Sequence, residues 1–412
     1  MLEKKNIFIG FVIMCLIASP FSIAPVMAGD WNMFHKDLDR TGYLNESSDF
    51  TPESWLFKAQ KAIKSTPAIS DKILYFGSSD GTLYALNLED GTKVWEYTTE
   101  GDIFSSPIIN GDNVYFGSKD GYLYALNKKN GDSIWKYKTG NAIESSPTIE
   151  NRTIYIGAND NRLYAIYTDN GTMKWEFGAK NAIKSSPAVY NGSIYFGSND
   201  GKIYALDTEN GTKLWEFDTG NAVISSPAIR DNVLYEGTNN GMFYALNIKD
   251  GSIKWTYDFG DPVKSTALLD SNDNSLFIGA DNGNITCLDM RDGKLKWSAN
   301  VGNVQSSPAI MGDYIVVSSE SGTVYVLNKY SGKEEWSYSP GYYLFNVPFT
   351  SSPVIYGSDI YVGGEDGYMY ALNNEKKTGP TSPFLYYIIG IIAAIIIALI
   401  VVRTISIRRK RE

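Results

Sequence analysis

The 412-residue chain holds one histidine and two cysteines, so side chains that do nucleophilic or metal chemistry are scarce. His35 has no His or Cys companion that would make a metal site or a nucleophilic triad, and it reads as a structural or solvent-facing residue. Cys15 lies in an apolar N-terminal run, which leaves Cys287 unpaired. Cys287 stands where Ala85, Ala125, Ala165, Ala205 and Ala245 stand in similar phrases, so it reads as a small buried strand residue. Carboxylates are more numerous. Asp80, Asp120, Asp160, Asp200 and Asp366 recur in one turn, usually before glycine, and a turn role is expected for them. The other reading is a ring of carboxylates for a cation, but Asn240 and Ser321 break that ring, and no metal site is assigned.

The elements that position these residues come from a repeat. A phrase of the form S-S-P-A-I, Y-x-G-S-x-D-G, L-Y-A-L-N, G-x-x-x-W recurs, with prolines at 67, 107, 147, 187, 227, 308 and 353 and Ala267 in the remaining place, making eight units. Each unit has four short runs rich in Tyr, Val, Ile, Phe and Trp. In the second unit they are about Ser105–Ile109, Val114–Gly117, Leu123–Asn127 and Ser133–Tyr137, separated by Asn110-Gly111, Asp120-Gly121 and Asn130-Gly131. Such pairs accept the positive φ of tight hairpins, so each unit reads as a four-stranded antiparallel meander. The predicted fold is all-β: an eight-bladed propeller over residues 55–373.

Trp95, Trp135, Trp175, Trp215, Trp255, Trp297 and Trp336 close the first seven units, and the eighth lacks its tryptophan. Trp55 precedes the first unit with no earlier strand to pair with, so its strand is expected to complete the last blade and close the ring. One tryptophan per repeat at one position is what docking between blades requires. Tyr84, Tyr124, Tyr164, Tyr204 and Tyr244 are likewise a repeat position.

Ala85-Leu86-Asn87, Gly91, Trp95 and their counterparts resemble the A-x-[DN]-x-x-x-G-x-x-x-W motif of pyrroloquinoline-quinone (PQQ)-type propeller repeats, and residues 31–42 resemble the lead-in before such propellers. The resemblance implies an eight-bladed propeller whose motif residues dock blades. It also implies two branches: quinoprotein dehydrogenases, and non-enzymatic relatives such as a bacterial outer-membrane assembly lipoprotein. Members of the first resemble one another in adjacent cysteines against the quinone, a calcium held by Glu, Asn and Asp, and a catalytic Asp. No adjacent cysteine pair exists here, so PQQ and calcium are not expected and no catalytic residue is assigned. The lipoprotein branch is not matched fully either, because Met14 precedes Cys15 and apolar residues follow, unlike a lipidation site.

The termini bear on location. Lys4 and Lys5, the apolar run from Ile7 to Ala18 and Val26-Met27-Ala28 resemble a secretory signal over residues 1–28, followed by a lead-in at 29–54. Residues 374–383 read as a linker, and Phe384–Val402 is an uncharged stretch of membrane-spanning length. Arg403, Arg408, Arg409, Lys410 and Arg411 follow, and positive charge stays inside. The expectation is a single-pass membrane protein with its propeller outside and residues 403–412 in the cytoplasm. A net charge of -9 argues against a nucleic-acid partner. Sequons at Asn45, Asn151, Asn170, Asn191, Asn210 and Asn284 are open to glycosylation in an exported domain.

Positions that differ between otherwise similar repeats are free of the repeat constraint. The position before S-S-P holds Lys64, Phe104, Glu144, Lys184, Ile224, Lys264, Gln305 and Thr350. If the innermost strand begins there, these residues ring one mouth of the central channel and suit an anionic or amphipathic ligand or a peptide. The connection after Trp336 carries Tyr342, Tyr343 and Phe345, an aromatic insertion suited to recognition or to plugging the channel. The functional expectation is an extracytoplasmic binding or assembly scaffold for a protein or surface polymer. A quinoprotein dehydrogenase and a purely structural envelope protein are the alternatives.

Overall fold

A computed structural model describes residues 43–44, 53–340 and 346–372. The signal-like segment, residues 374–412, Asn45 and the Tyr342, Tyr343 and Phe345 insertion lie outside the described residues. Among the described residues there is no helix long and apolar enough to cross a membrane.

The repeat folds as eight antiparallel four-stranded blades, with strands bonded in sequence order except in blade 8, and the sheet of one blade gains a further strand from the lead-in. Blade 1 comprises Ala68–Ser70, Ile73–Gly77, Thr82–Asn87 and Lys93–Thr98. Blades 2 to 7 follow at 108–138, 148–178, 188–218, 228–258, 268–300 and 309–338. Blade 8 takes Val354–Tyr356, Asp359–Gly363 and Tyr368–Leu372, and Glu53–Lys58 pairs with the last of these as its fourth strand, Trp55 opposite Ala371. The ring therefore closes as the isolated Trp55 strand predicts.

The first strand of each blade is shorter than the sequence suggests. In blade 2 it starts at Ile108 rather than Ser105. Pro107 has no N–H to give a ladder, and the Ser106 N–H is directed at the next blade, donating to Ser146 Oγ at 2.9 Å. The same bond links Thr66 to Ser106, Ser146 to Ser186, Ser186 to Ser226, Thr266 to Ser307 and Ser307 to Ser352, all at 2.9–3.0 Å. A belt of buried hydroxyls thus stitches the inner wall, blade to blade.

The G-x-x-x-W motif is a contact between neighbours. Trp95 Nε1 donates to the Lys128 carbonyl of blade 2 at 2.9 Å, and Trp55, Trp135, Trp175, Trp215, Trp255 and Trp297 make the equivalent bond to their next blades. The indole also covers the next blade's motif glycine. A Cβ on Gly131 would lie 2.7 Å from Trp95 Cε3, and Gly131 has φ 76°, so both space and conformation require glycine there. Between blades, Leu83, Ala85, Ile103, Phe116 and Leu126 and their counterparts are fully buried, which places the core in the wedges that join neighbours.

Candidate channel mouth

The segments that link blades and the turns between second and third strands share one face. Each linking segment is clamped by two turns. The Ile103 N–H donates to Ser78 O of blade 1 at 3.1 Å, while the Asp102 carbonyl accepts the Lys119 N–H of blade 2 at 2.9 Å. Ile63, Ile103, Ile143, Ile183, Val223, Val263, Val304 and Phe349 are fully buried and anchor the segment. The residue after each anchor is then Lys64, Phe104, Glu144, Lys184, Ile224, Lys264, Gln305 or Thr350, and all eight are half-buried. They stand on one face of the ring, but four residues ahead of the first strand rather than at its start.

The structure adds a second ring that sequence comparison passed over, because its positions lie inside the turn phrase G-S-x-D-G. Ser79, Lys119, Asn159, Asn199, Asn239, Asp281, Glu320 and Glu365 occupy the x position and abut the first ring. Three lysines of the first ring pair with acids of one ring or the other. Lys64 meets Glu365 at 2.9 Å, Lys184 meets Glu144 at 3.1 Å and Lys264 meets Asp281 at 2.5 Å. Glu144 also accepts from Asn159 Nδ2 at 3.0 Å. Burial pushes the Glu144 carboxyl up, but the Asn159 and Lys184 hydrogen bonds and the Lys184 and Lys119 charges outweigh it and hold it below the usual range. Thr350 donates to Glu365 at 3.1 Å.

Across the two rings Lys64, Lys119, Lys184 and Lys264 face Glu144, Asp281, Glu320 and Glu365, so the mouth is neutral in sum. Its charge is local. Lys119 Nζ lies 4.4 Å and Lys64 Nζ 5.7 Å from the Phe104 ring, so this aromatic residue sits beside two ammonium groups, which also meet Asp102 at 3.8 Å and Glu365 at 2.9 Å. In contrast, buried oxygens without a partner recur at the same turn position in blades 1 and 3 to 6: Ser79 Oγ and the Oδ1 atoms of Asn159, Asn199, Asn239 and Asp281.

The turn aspartates are occupied by the fold. Asp120 accepts from the Tyr124 hydroxyl at 2.7 Å, from the Tyr122 N–H at 2.9 Å and from the Glu100 N–H at 3.2 Å. Asp80, Asp160, Asp200 and Asp366 bond their tyrosines in the same way. The tyrosine position is thus the partner of the aspartate position. Cys287 is buried opposite Phe277 and Trp297, and burial pushes its thiol up to about 11. Asn151, Asn170, Asn191 and Asn210 are exposed in turns at the face opposite the mouth, while Asn284 is half-buried at the mouth end of a strand.

The mouth carboxylates Glu144, Asp281 and Glu365 already hold ammonium groups. The only cysteine of the propeller lies in a blade interior. Among the described residues no three His, Cys, Asp or Glu side chains converge as a metal site would need.

Comparison with known proteins places the architecture. The chain is similar to BamB from Moraxella catarrhalis at 17% identity and a TM-score of 0.66, over 79% of this chain and 99% of that one. It is similar to the quinohemoprotein alcohol dehydrogenase from Comamonas testosteroni at 15% identity and a TM-score of 0.73, over 86% and 82% of the two chains. A europium-containing methanol dehydrogenase gives 13% identity and a TM-score of 0.73, over 84% and 98%. These likenesses speak to the fold alone. Among curated proteins, none matches the sequence. The sequence profile described as outer membrane protein assembly factor BamB matches residues 52–177, 138–338 and 263–379, together spanning every blade, and the chain belongs to that PQQ-like propeller family.

Proposed function

We propose that this protein is a non-catalytic binding or assembly scaffold, held outside a membrane by residues 384–402, and that its channel mouth receives a protein partner. One observation carries the reading. The mouth is a rigid surface, anchored by buried Ile and Val on a hydroxyl-stitched wall. Its charged groups neutralise each other, while Phe104 and Ile224 stay half-buried between them. Paired charges of this kind orient a partner, and the apolar residues supply contact area. Membership of a family described as an outer membrane assembly factor supports a protein partner. Export and anchoring rest on the terminal segments of the sequence.

The test is site-specific photo-crosslinking from position 104 or 224 in the native membrane. A discrete protein adduct from these positions, absent from a probe at Asn170 on the opposite face, is the expected result. Labelling at Asn170 alone overturns the mouth as the site. A quinoprotein dehydrogenase is the second reading, favoured by the dehydrogenase likenesses. Binding of PQQ in the presence of calcium, seen as quinone fluorescence quenching and a raised melting temperature, would establish it in place of the first.

A further inference from the structure

Seven of the eight sheets have four strands, and the sheet of blade 7 has five. The fifth is Tyr43–Leu44 of the lead-in, which runs parallel to the innermost strand Ala309–Met311 with Tyr43 opposite Ile310 and Leu44 opposite Met311. It also lies beside the innermost strand of blade 6, Leu268–Asp270. An innermost strand borders the central channel, so its free edge presents unpaired backbone N–H and C=O groups along the channel wall. In seven blades that edge has no strand on it among the described residues; in blade 7 it is occupied.

The innermost strand of blade 7 also differs in residue type from the others. The last residue of the innermost strand is Ser70, Asn110, Glu150, Tyr190, Arg230, Asp270 and Tyr356 in the other blades, and Met311 in blade 7. Asn110 is exposed, Glu150, Tyr190, Arg230 and Tyr356 are half-buried, and Ser70, Asp270 and Met311 are buried, Met311 being the one apolar aliphatic residue among them. Met311 packs into the core that blade 7 shares with blade 8, whereas the equivalent Asp270 of blade 6 meets Lys329 of blade 7. Direction matters as well. Innermost strands run from the mouth to the opposite face, and Tyr43–Leu44, being parallel, runs the same way.

We propose that the channel edge of blade 7 is a peptide-docking edge, that Tyr43–Leu44 is its resident occupant, and that an extended segment of the protein partner docks there by replacing it. The occupant is short and pairs in parallel, which is the weaker ladder. An extended segment of the partner pairs with the same three-residue edge through its main chain, which is the mode of strand addition. Its N-terminal part would lie at the mouth end of the channel, because the innermost strands run from the mouth. The partner in this proposal rests on the scaffold reading, whereas the occupancy of the edge stands apart from it.

The experiment uses the full chain, its Leu44→Pro variant, which removes an N–H from the added strand, and a fluorescent peptide of residues 38–48 as the probe. Amide exchange over Ala309–Met311 is expected to be at least tenfold faster in the variant than in the wild type, with the innermost strands of blades 1 to 5 unchanged. The peptide is expected to bind the variant at least tenfold more tightly and to restore the lost protection. Unchanged exchange over Ala309–Met311, or equal peptide affinity for the two chains, overturns the proposal. Should Leu44→Pro not fold, Tyr43→Gly with Leu44→Gly serves, with the same readings. Crosslinking from position 104 tests the scaffold reading separately, because the peptide experiment contains no partner.

Discussion

Glu236 is the residue at which this molecule departs furthest from its own pattern. Its strand position holds Phe76, Phe116, Ile156, Phe196, Ile278, Val317 and Val362 in the other blades, all fully buried. Glu236 is buried to the same degree, with one oxygen accepting from Ser225 Oγ at 2.8 Å and the other without a partner. Burial raises its pKa well above the ordinary carboxyl value, only partly offset by the Ser225 hydrogen bond. A carboxyl raised in the folded state binds its proton more tightly there than in the unfolded chain, so stability falls as pH rises from the ordinary carboxyl value of 4.5 through the raised one. Glu236→Ile is therefore expected to stabilise the propeller at pH 7 by about 1–3 kcal/mol, and to remove that portion of the pH dependence. Thermal melts of both chains from pH 4 to pH 9 check this, and parallel curves would refute it. Cys287 gives a second test. With its thiol pushed up to about 11, a maleimide at pH 8 is expected to label the native protein at under about a tenth of the rate seen in denaturant. Sequence placed Cys287 correctly, because a repeat supplies seven comparisons. Glu236 is equally legible in that comparison, because its seven counterparts are all apolar.

At the scale of elements, the bonds between blades decide which substitutions the ring tolerates. Lys329, buried after the third strand of blade 7, meets Asp270 of blade 6 at 2.9 Å and Asp273 at 3.0 Å. Burial alone would lower its pKa, but the two carboxylates outweigh this and raise it. Asp270 is itself buried, so Lys329→Ala leaves a carboxylate in the blade interface without its counterion. A loss of about 3–5 kcal/mol is expected in denaturant unfolding, and a change below about 1 kcal/mol would show the pair to be replaceable. This pair was hidden from the sequence. Its members lie in different repeats, and blade 6 carries two extra residues in its first hairpin, which shift the register in which repeats are compared. The hairpins and the tryptophan positions were legible for the opposite reason. Turn residues and docking residues answer to local backbone and nearest-neighbour demands, and these recur unchanged from one repeat to the next.

For the whole molecule, legibility ends where symmetry breaks. Ring size and closure follow from counting, whereas the pairing of mouth lysines with acids depends on side chains that only the closed ring brings together. Lys64 is the clearest case, since its partner Glu365 stands at the other end of the propeller sequence. Closure itself can be tested. Trp55 packs in the joint between blades 8 and 1, where its Nε1 donates to Leu88 O at 3.0 Å. Trp55→Ala is expected to cost about 3–5 kcal/mol. Limited proteolysis should then cut first in blades 8 and 1, and uniform cutting would show that the joint is no weaker than the others. The pairing of Glu53–Lys58 with Tyr368–Leu372 has a further consequence, in time rather than in space. The strand that seals the ring is the first of the propeller to leave the ribosome, and its partner follows about 300 residues later. Until then the nascent chain holds an apolar strand with no sheet to join, so ring closure must wait for the last blade to be synthesised.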